Sequence, residues 1–147
     1  MRGREEEQGE MLLSITPDAL VPKDHPIRRV REITDRALKE MSPVLNTKYS
    51  GIGRPSIAPE RLLKASILMA LYSIRSERQF CERLQYDLLF KWFLNMNIAT
   101  PAFDHASFSK NRERLINHRV AEQFFAAVED ADAGGAEQLV AGEGEEI

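Results

Sequence analysis

Apolar side chains recur at spacings of three and four residues through most of the chain, which is the pattern of amphipathic helices. No stretch alternates apolar and polar residues over the length of a strand, and the chain has no internal repeat. The pattern therefore predicts an all-α fold, a compact bundle of about six helices. Their predicted ranges are 26–41, 59–74, 77–86, 88–94, a fifth helix from a cap at Asp104 or Ser107 to 117, and 119–131.

Residues with strong local preferences mark the predicted helix ends. Pro26 and Pro59 suit the first turn of a helix, where the missing N–H costs nothing. Ser76 and Gln79 form a capping box at the start of the third helix. The pair Ser42-Pro43 predicts the end of the first helix, because the residue before a proline disfavours the helical conformation. A loop is predicted after it, over residues 46–58.

Three segments are predicted along the chain. Residues 1–20 are rich in glutamate and predict a flexible N-terminal arm. Residues 21–131 carry the helical pattern and predict the folded domain. Gly134-Gly135 predicts a helix break, and residues 132–147 contain too few apolar side chains to pack, so we expect a disordered acidic tail.

The net charge of −3 conceals an uneven distribution of charge. Residues 22–120 carry 18 Lys and Arg against 10 Asp and Glu, whereas residues 1–21 carry 2 against 5 and residues 121–147 carry none against 8. A polyanionic partner would be attracted to the basic middle only. The plain alternative is a solvated basic surface.

Several function classes find no support in the sequence. The longest uncharged apolar stretch, 65–74, is half the roughly 20 residues of a membrane span. Glu5, Glu6 and Glu7 lie where a signal peptide is basic, so we expect a cytoplasmic protein that is not bound to a membrane. The one cysteine, Cys81, lies beside Phe80 and is interpreted as a buried small residue rather than a nucleophile. The histidines are too far apart for a structural zinc site.

The fifth predicted helix has one apolar and one polar face. At about 100° per residue, Phe108 and Leu115 share a buried edge with Ile116 on its flank, and Arg112 lies toward that flank. Glu113 interrupts the opposite face. That outward face carries Ser107, Lys110, Arg114 and Asn117.

These are residue types that contact DNA. Arg and Lys bind phosphates and guanine edges, Asn binds adenine, and Ser binds phosphate oxygens. The order of helix, short helix, turn and helix over 76–117 is compatible with a helix-turn-helix variant. There are three further candidates for DNA contact. Arg75 and Arg78 lie at the start of the third predicted helix, and Arg54 lies in the glycine-containing loop over 46–58. The plain alternative is an amphipathic helix with a solvated basic face.

Three stretches of the chain resemble a known family: VPKDHPIRRVREITDRAL, GRPSIAPERLLKASILMALYSIRSERQFCERLQYDLLFKWFLNMN and DHASFSKNRERL. Together they are similar to the N-terminal domain of InsH-like transposases of the DDE insertion-sequence group, over about residues 8–130. The resemblance implies a helical domain that binds the terminal inverted repeats of the element in double-stranded DNA. The family's DNA-binding character maps best onto Ser107, Ser109, Lys110, Arg112 and Arg114.

The resemblance also implies a ribonuclease-H-like domain that cuts and joins DNA with two aspartates, a glutamate and Mg²⁺. Family members carry the first of these aspartates shortly after the sixth helix, in a stretch like VDGT. This chain departs from that pattern around residues 129–134 and continues as AGGAEQLVAGEGEEI. We therefore expect a truncated transposase without catalytic residues or a cofactor of its own.

Two other hypotheses stay open beside DNA binding. The chain is alternatively a helical interaction fragment that binds an intact, full-length transposase through exposed aromatics such as Trp92, and so inhibits it. The aromatic cluster over 90–93 has a base-stacking interpretation and a plainer one, in which Phe90 and Phe93 pack in the core and Trp92 lies partly exposed or at an interface. The third hypothesis is a remnant without a present function.

Overall fold

The fold is all-α. The computed structural model describes residues 2–6, 14–49, 56–117 and 119–145, with the backbone alone for Tyr49 and residues 134–145. These residues contain no β-strand. The helices are α1 (Pro17–Leu20), α2 (Ile27–Tyr49), α3 (Pro59–Leu71), α4 (Glu77–Tyr86), α5 (Leu88–Phe93), α6 (His105–Asn117) and α7 (Val120–Glu145).

The two longest helices, α2 and α7, pack against each other. The apolar stripe of α2 is buried at spacings of three and four, as the sequence predicts. Its buried apolar residues are Ile27, Ala37, Leu38, Met41 and Leu45. Thr34 is buried in the same stripe, and its hydroxyl donates to the Val30 carbonyl at 2.7 Å, so that burial leaves no polar group without a partner.

Stacked phenylalanine rings join α4, α5 and α6. The ring of Phe80 lies 5.6 Å from that of Phe90 and 5.3 Å from that of Phe108, centre to centre, and all three side chains are fully buried. Phe103, just before α6, stacks on Phe108 at 5.8 Å. Such ring pairs contribute about 0.5–1.5 kcal/mol each beyond the burial of their area.

A polar junction attaches α1 to α5. The indole N–H of Trp92 donates to the Asp18 carboxylate at 2.9 Å, and Arg28 donates to the same oxygen at 2.8 Å. The guanidinium groups of Arg28 and Arg31 lie over the indole ring, 5.2 and 4.4 Å from its centre. Trp92 is only 5% exposed, so the expectation that it lies partly exposed was wrong. Asp18, 74 positions away, supplies the polar partner that lets the indole be buried.

Lys91 is the most deeply buried charged side chain among the described residues. Its ammonium donates to the Thr100 carbonyl in the connection between α5 and α6. Burial lowers the pKa of this lysine below its usual 10.5. The contact ties the connection before α6 to the core.

α2 continues beyond the end that the sequence predicts for it. α2 runs through Pro43 to Tyr49, so the predicted end at Ser42-Pro43 and the start of the 46–58 loop were wrong. An interior proline costs about 3 kcal/mol. The apolar stripe nevertheless extends to buried Leu45, whose packing offsets that cost.

The chain ends also differ from the prediction. α7 passes through Gly134-Gly135 to Glu145, whereas we expected the helix to end near Ala131, a break at these glycines and a disordered acidic tail over 132–147. A glycine costs only about 1 kcal/mol in a helix, and extending a formed helix needs no new nucleus. At the other end, α1 forms inside the predicted flexible arm because Asp18 is held by Trp92 and Arg28.

The local end signals mark most of the other boundaries correctly. Ser76 caps α4 by accepting from the Gln79 N–H at 3.3 Å, and Asp87 caps α5 by accepting from the Phe90 N–H at 3.0 Å. α3 ends at Leu71, before the predicted 74, in a Schellman motif with Ser73 in the left-handed region at φ 54°. α5 ends in the same motif, with Asn95 at φ 57°.

Replacing Ser73 by glycine is expected to stabilise the fold by about 0.5–1 kcal/mol, because glycine adopts the left-handed conformation without the steric cost that serine bears. Asn95→Gly is the matched control and is expected to gain less, since asparagine tolerates this conformation. Urea unfolding followed by the fluorescence of the one tryptophan measures both. Destabilisation by Ser73→Gly would contradict the Schellman assignment.

Asp18→Asn is expected to loosen α1 at neutral pH. The hydrogen bonds from Trp92 and Arg28 lower the pKa of the Asp18 carboxyl below its ordinary 3.8. A lowered folded-state pKa stabilises the fold above pH 3.8, and that contribution disappears as the pH falls through the folded-state pKa. Urea unfolding at several pH values should therefore show wild type and variant converging in acid. A difference that is independent of pH would rule out the carboxylate as its cause.

Candidate nucleic-acid interface

α6 carries most of the residues that the sequence singles out. Asp104 is its cap, since its carboxylate accepts from the Ser107 N–H at 3.2 Å, and Ser107 itself is not the cap. The helix packs against α3, α4 and α7. Phe108, Asn111 and Leu115 form its buried line.

The solvent face of α6 lies opposite this line. At about 100° per residue, Lys110, Glu113 and Asn117 point most directly away from the core, with Arg114 at their side. All four are exposed. Ile116 is 65% exposed, so its prediction as part of the buried edge was wrong. The helix instead buries its other flank, where Asn111 lies.

Asn111 occupies an apolar position of the helix because its amide has two partners. The side-chain N–H₂ donates to the Ser107 carbonyl at 2.7 Å and to the Ser56 hydroxyl at 3.2 Å. Ser56 precedes α3, so the contact fixes the start of α3 against α6. The helical spacing places residue 111 on the edge shared by Phe108 and Leu115, but the sequence does not show the Ser56 partner, 55 positions away, that an asparagine needs there.

The two serines of α6 are half-buried. The Ser107 hydroxyl lies 3.4 Å from the Asp104 carboxylate and belongs to the cap, beside the solvent face rather than at its centre. Ser109 lies on the flank of the solvent face that also carries Ile116, about 20° from it around the helix axis. Ser109 is therefore the serine closer to the centre of the solvent face.

Arg112 and Arg78 connect α6 with α4. Arg112 lies on the predicted flank, 3.4 Å from the Glu77 carboxylate, with its guanidinium 5.7 Å from the centre of the Phe108 ring. Arg78 is exposed and donates to Nε2 of His105 at 3.4 Å. These contacts join the start of α4 to the flank of α6 that carries His105 and Arg112, about 160° around the helix axis from Lys110.

Lys110 and Arg114 differ from Arg112 in having no acidic partner. Within the described part of the chain neither side chain forms an ion pair. Arg75 is also exposed, in the turn between α3 and α4. Arg54, the remaining candidate, lies outside the described residues.

The predicted helix-turn-helix order is present, but with a long connection. α4 and α5 are separated by Asp87 alone, and eleven residues, 94–104, separate α5 from α6. A helix-turn-helix has a turn of about three or four residues. The helix-turn-helix assignment therefore stays a prediction, and the direct packing partner of α6 in this segment is α4.

A hollow of about 480 Å³ lies between α4 and the start of α6, beside Arg78 and His105. Cys81 lines it, but its side chain is buried. Burial, with the nearby charges of Glu77 and Asp104, raises the pKa of the Cys81 thiol to about 11. The interpretation of Cys81 as a buried small residue is confirmed.

No group of three or more His, Cys, Asp or Glu side chains in the described ranges could hold a metal ion. None of the helices described is both long and apolar enough to cross a bilayer.

Comparison with known proteins gives one match. Residues 15–114, about two thirds of the chain, match the family model described as Transposase domain (DUF772). The match includes α1 to α5 and most of α6. No curated protein and no solved structure matches the chain.

Cys81 is expected to resist alkylation while the protein is folded. With a pKa of about 11, roughly one thiol in a thousand is a thiolate at pH 8, and the thiolate is the reactive form. Mass spectrometry after iodoacetamide treatment should show labelling about a hundredfold slower than in the same chain unfolded in urea. Equal rates in the folded and unfolded chains would contradict the burial of this thiol.

Proposed function

The chain belongs to the transposase domain (DUF772) family, and from that premise we propose that it binds double-stranded DNA through the solvent face of α6. The DNA proposed is the terminal inverted repeat of an insertion sequence. For family members, the resemblance implies that DNA strands are cut and joined with two aspartates, a glutamate and Mg²⁺. We do not assign that activity to this chain.

The observation that carries the proposal is the pair of unpaired cations on α6. Lys110 and Arg114 are four positions apart, so they lie on one ridge of the helix. Asn117, three positions after Arg114, lies beside this ridge, and its amide is able to hydrogen-bond phosphates and base edges. Ser109, with its hydroxyl, lies about 100° around the helix axis from Lys110. An exposed helix face with this set of groups fits the major groove, which admits an α-helix.

The rest of α6 gives that face a rigid base. Phe108 and Leu115 anchor the helix in the core, and the Asn111 amide adds a contact to the start of α3. Arg112 is held against Glu77 and packs on Phe108, so we assign it a role in orienting α6 rather than in contacting bases. Arg75 and Arg78, both exposed near the start of α4, supply additional positive charge for the DNA backbone.

The double variant Lys110→Ala/Arg114→Ala is expected to bind DNA at least tenfold more weakly at low salt. If both side chains contact phosphates, the slope of log K against log salt concentration becomes shallower by about 1.8, since each contact contributes about 0.9. Fluorescence anisotropy with a labelled terminal inverted repeat, titrated at several salt concentrations beside a scrambled duplex, measures affinity, slope and specificity.

Arg36→Ala/Lys39→Ala provides the matched control. It removes the same charge from exposed positions of α2 and is expected to leave affinity and slope nearly unchanged. If both double variants weaken binding equally, net charge and not α6 accounts for it. Undiminished binding by Lys110→Ala/Arg114→Ala would refute the assignment of α6.

A different surface favours the second candidate function, association with an intact transposase. Trp92 is buried and not available for it, but Leu20, Tyr86 and Leu88 are exposed around a hollow of about 410 Å³. Tyr86, at 75% exposure, is the most exposed large apolar side chain of the described residues. Capture of full-length transposase from nuclease-treated lysate, lost in Tyr86→Ala/Leu88→Ala and kept in Lys110→Ala/Arg114→Ala, would favour this function over DNA binding.

A further inference from the structure

Arg119 lies between α6 and α7 in a backbone conformation that is unfavourable for arginine. Its φ is 56°, in the left-handed region, and its N–H donates to the Ile116 carbonyl at 3.1 Å, so it closes the end of α6. This conformation costs a residue with a Cβ about 1–2 kcal/mol, and glycine is the usual residue at such a position. Its place at the helix junction therefore favours glycine over arginine.

Within the described part of the chain, no ion pair of the Arg119 side chain offsets that cost. Arg119 is exposed, and it forms no ion pair with the described acidic residues. The other non-glycine residues with positive φ in the described ranges are Ser73 and Asn95, which are small or tolerate the left-handed region. Of these three residues, Arg119 is the one that combines this backbone conformation with a long cationic side chain. Strained residues of this kind cluster at functional sites.

Arg119 follows the two unpaired cations of α6 along the chain. It follows Lys110 and Arg114 by nine and five residues, with exposed Ile116 and Asn117 between Arg114 and itself. It is also the last basic residue of the sequence, since residues 121–147 contain no Lys or Arg and eight Asp and Glu. The basic surface therefore ends at Arg119, where the acidic α7 begins.

We infer that Arg119 contacts a DNA phosphate and forms the end of the interface on α6, an assignment that the sequence pattern missed because it placed residue 119 in the sixth helix. The inference rests on the proposed function of α6. The left-handed conformation ends α6 at this point and directs the chain into α7, so that the arginine lies on the junction and not within the acidic helix. A third exposed cation thus follows Lys110 and Arg114 directly after the end of α6.

Arg119→Gly separates the two roles of this residue. It removes the positive charge and also removes the steric cost of the left-handed backbone conformation, so the protein should unfold at the same or a higher urea concentration than wild type. DNA affinity at low salt should fall about 3–10-fold, and the salt slope should become shallower by about 0.9, as for one lost phosphate contact. Arg119→Lys, which keeps the charge, should restore most of the slope. Arg36→Ala is the control for loss of one positive charge elsewhere.

The outcomes distinguish this inference from the proposal on which it rests. If Arg119→Gly binds like wild type while Lys110→Ala/Arg114→Ala binds weakly, the inference is overturned and the function of α6 stands. If Arg36→Ala changes the slope as much as Arg119→Gly does, net charge explains the effect and the inference is again overturned. If Lys110→Ala/Arg114→Ala binds undiminished, the proposed function itself fails.

Discussion

Phe108 enters the core without any exposed surface and stacks on Phe80, which in turn stacks on Phe90. This row of rings joins α4, α5 and α6, and it determines which side of α6 faces solvent. Removing one such ring costs about 3–5 kcal/mol, a large part of the 5–15 kcal/mol by which a domain of this size is stable. The candidate interface is therefore a consequence of the core: Lys110 and Arg114 are exposed because Phe108 is buried.

Polar contacts then orient the helices that the rings bring together. Trp92 and Lys91 are adjacent on α5, and each has one distant acceptor, Asp18 for the indole and the Thr100 carbonyl for the ammonium. A buried donor without a partner costs about 1–3 kcal/mol, so these groups favour one arrangement of α1 and of the connection before α6. Asn111 does the same for the start of α3.

The structure also separates cations that the sequence treats alike. Arg112 is neutralised by Glu77, whereas Lys110 and Arg114 have no described acidic partner and present their charge to solvent. An unpaired cation gains more from a phosphate than one that must first leave a carboxylate. Among the basic residues of α6, Lys110 and Arg114 are therefore the ones whose charge faces solvent, and the acidic α7 follows them in the chain.

The sequence by itself determined the features that depend on a few neighbouring residues: the helical class, the cap at Ser76, and the buried Phe90 and Phe93 at core spacing. These follow from side chains within one or two turns of each other. Only the tertiary structure decided where helices continue and which flank is buried. The cases are Pro43, Gly134-Gly135, Trp92, Asn111, Ile116 and Arg119. Trp92 and Asn111 show the physical reason, since they depend on hydrogen bonds with Asp18 and Ser56, and no local pattern encodes a partner 50 to 75 positions away.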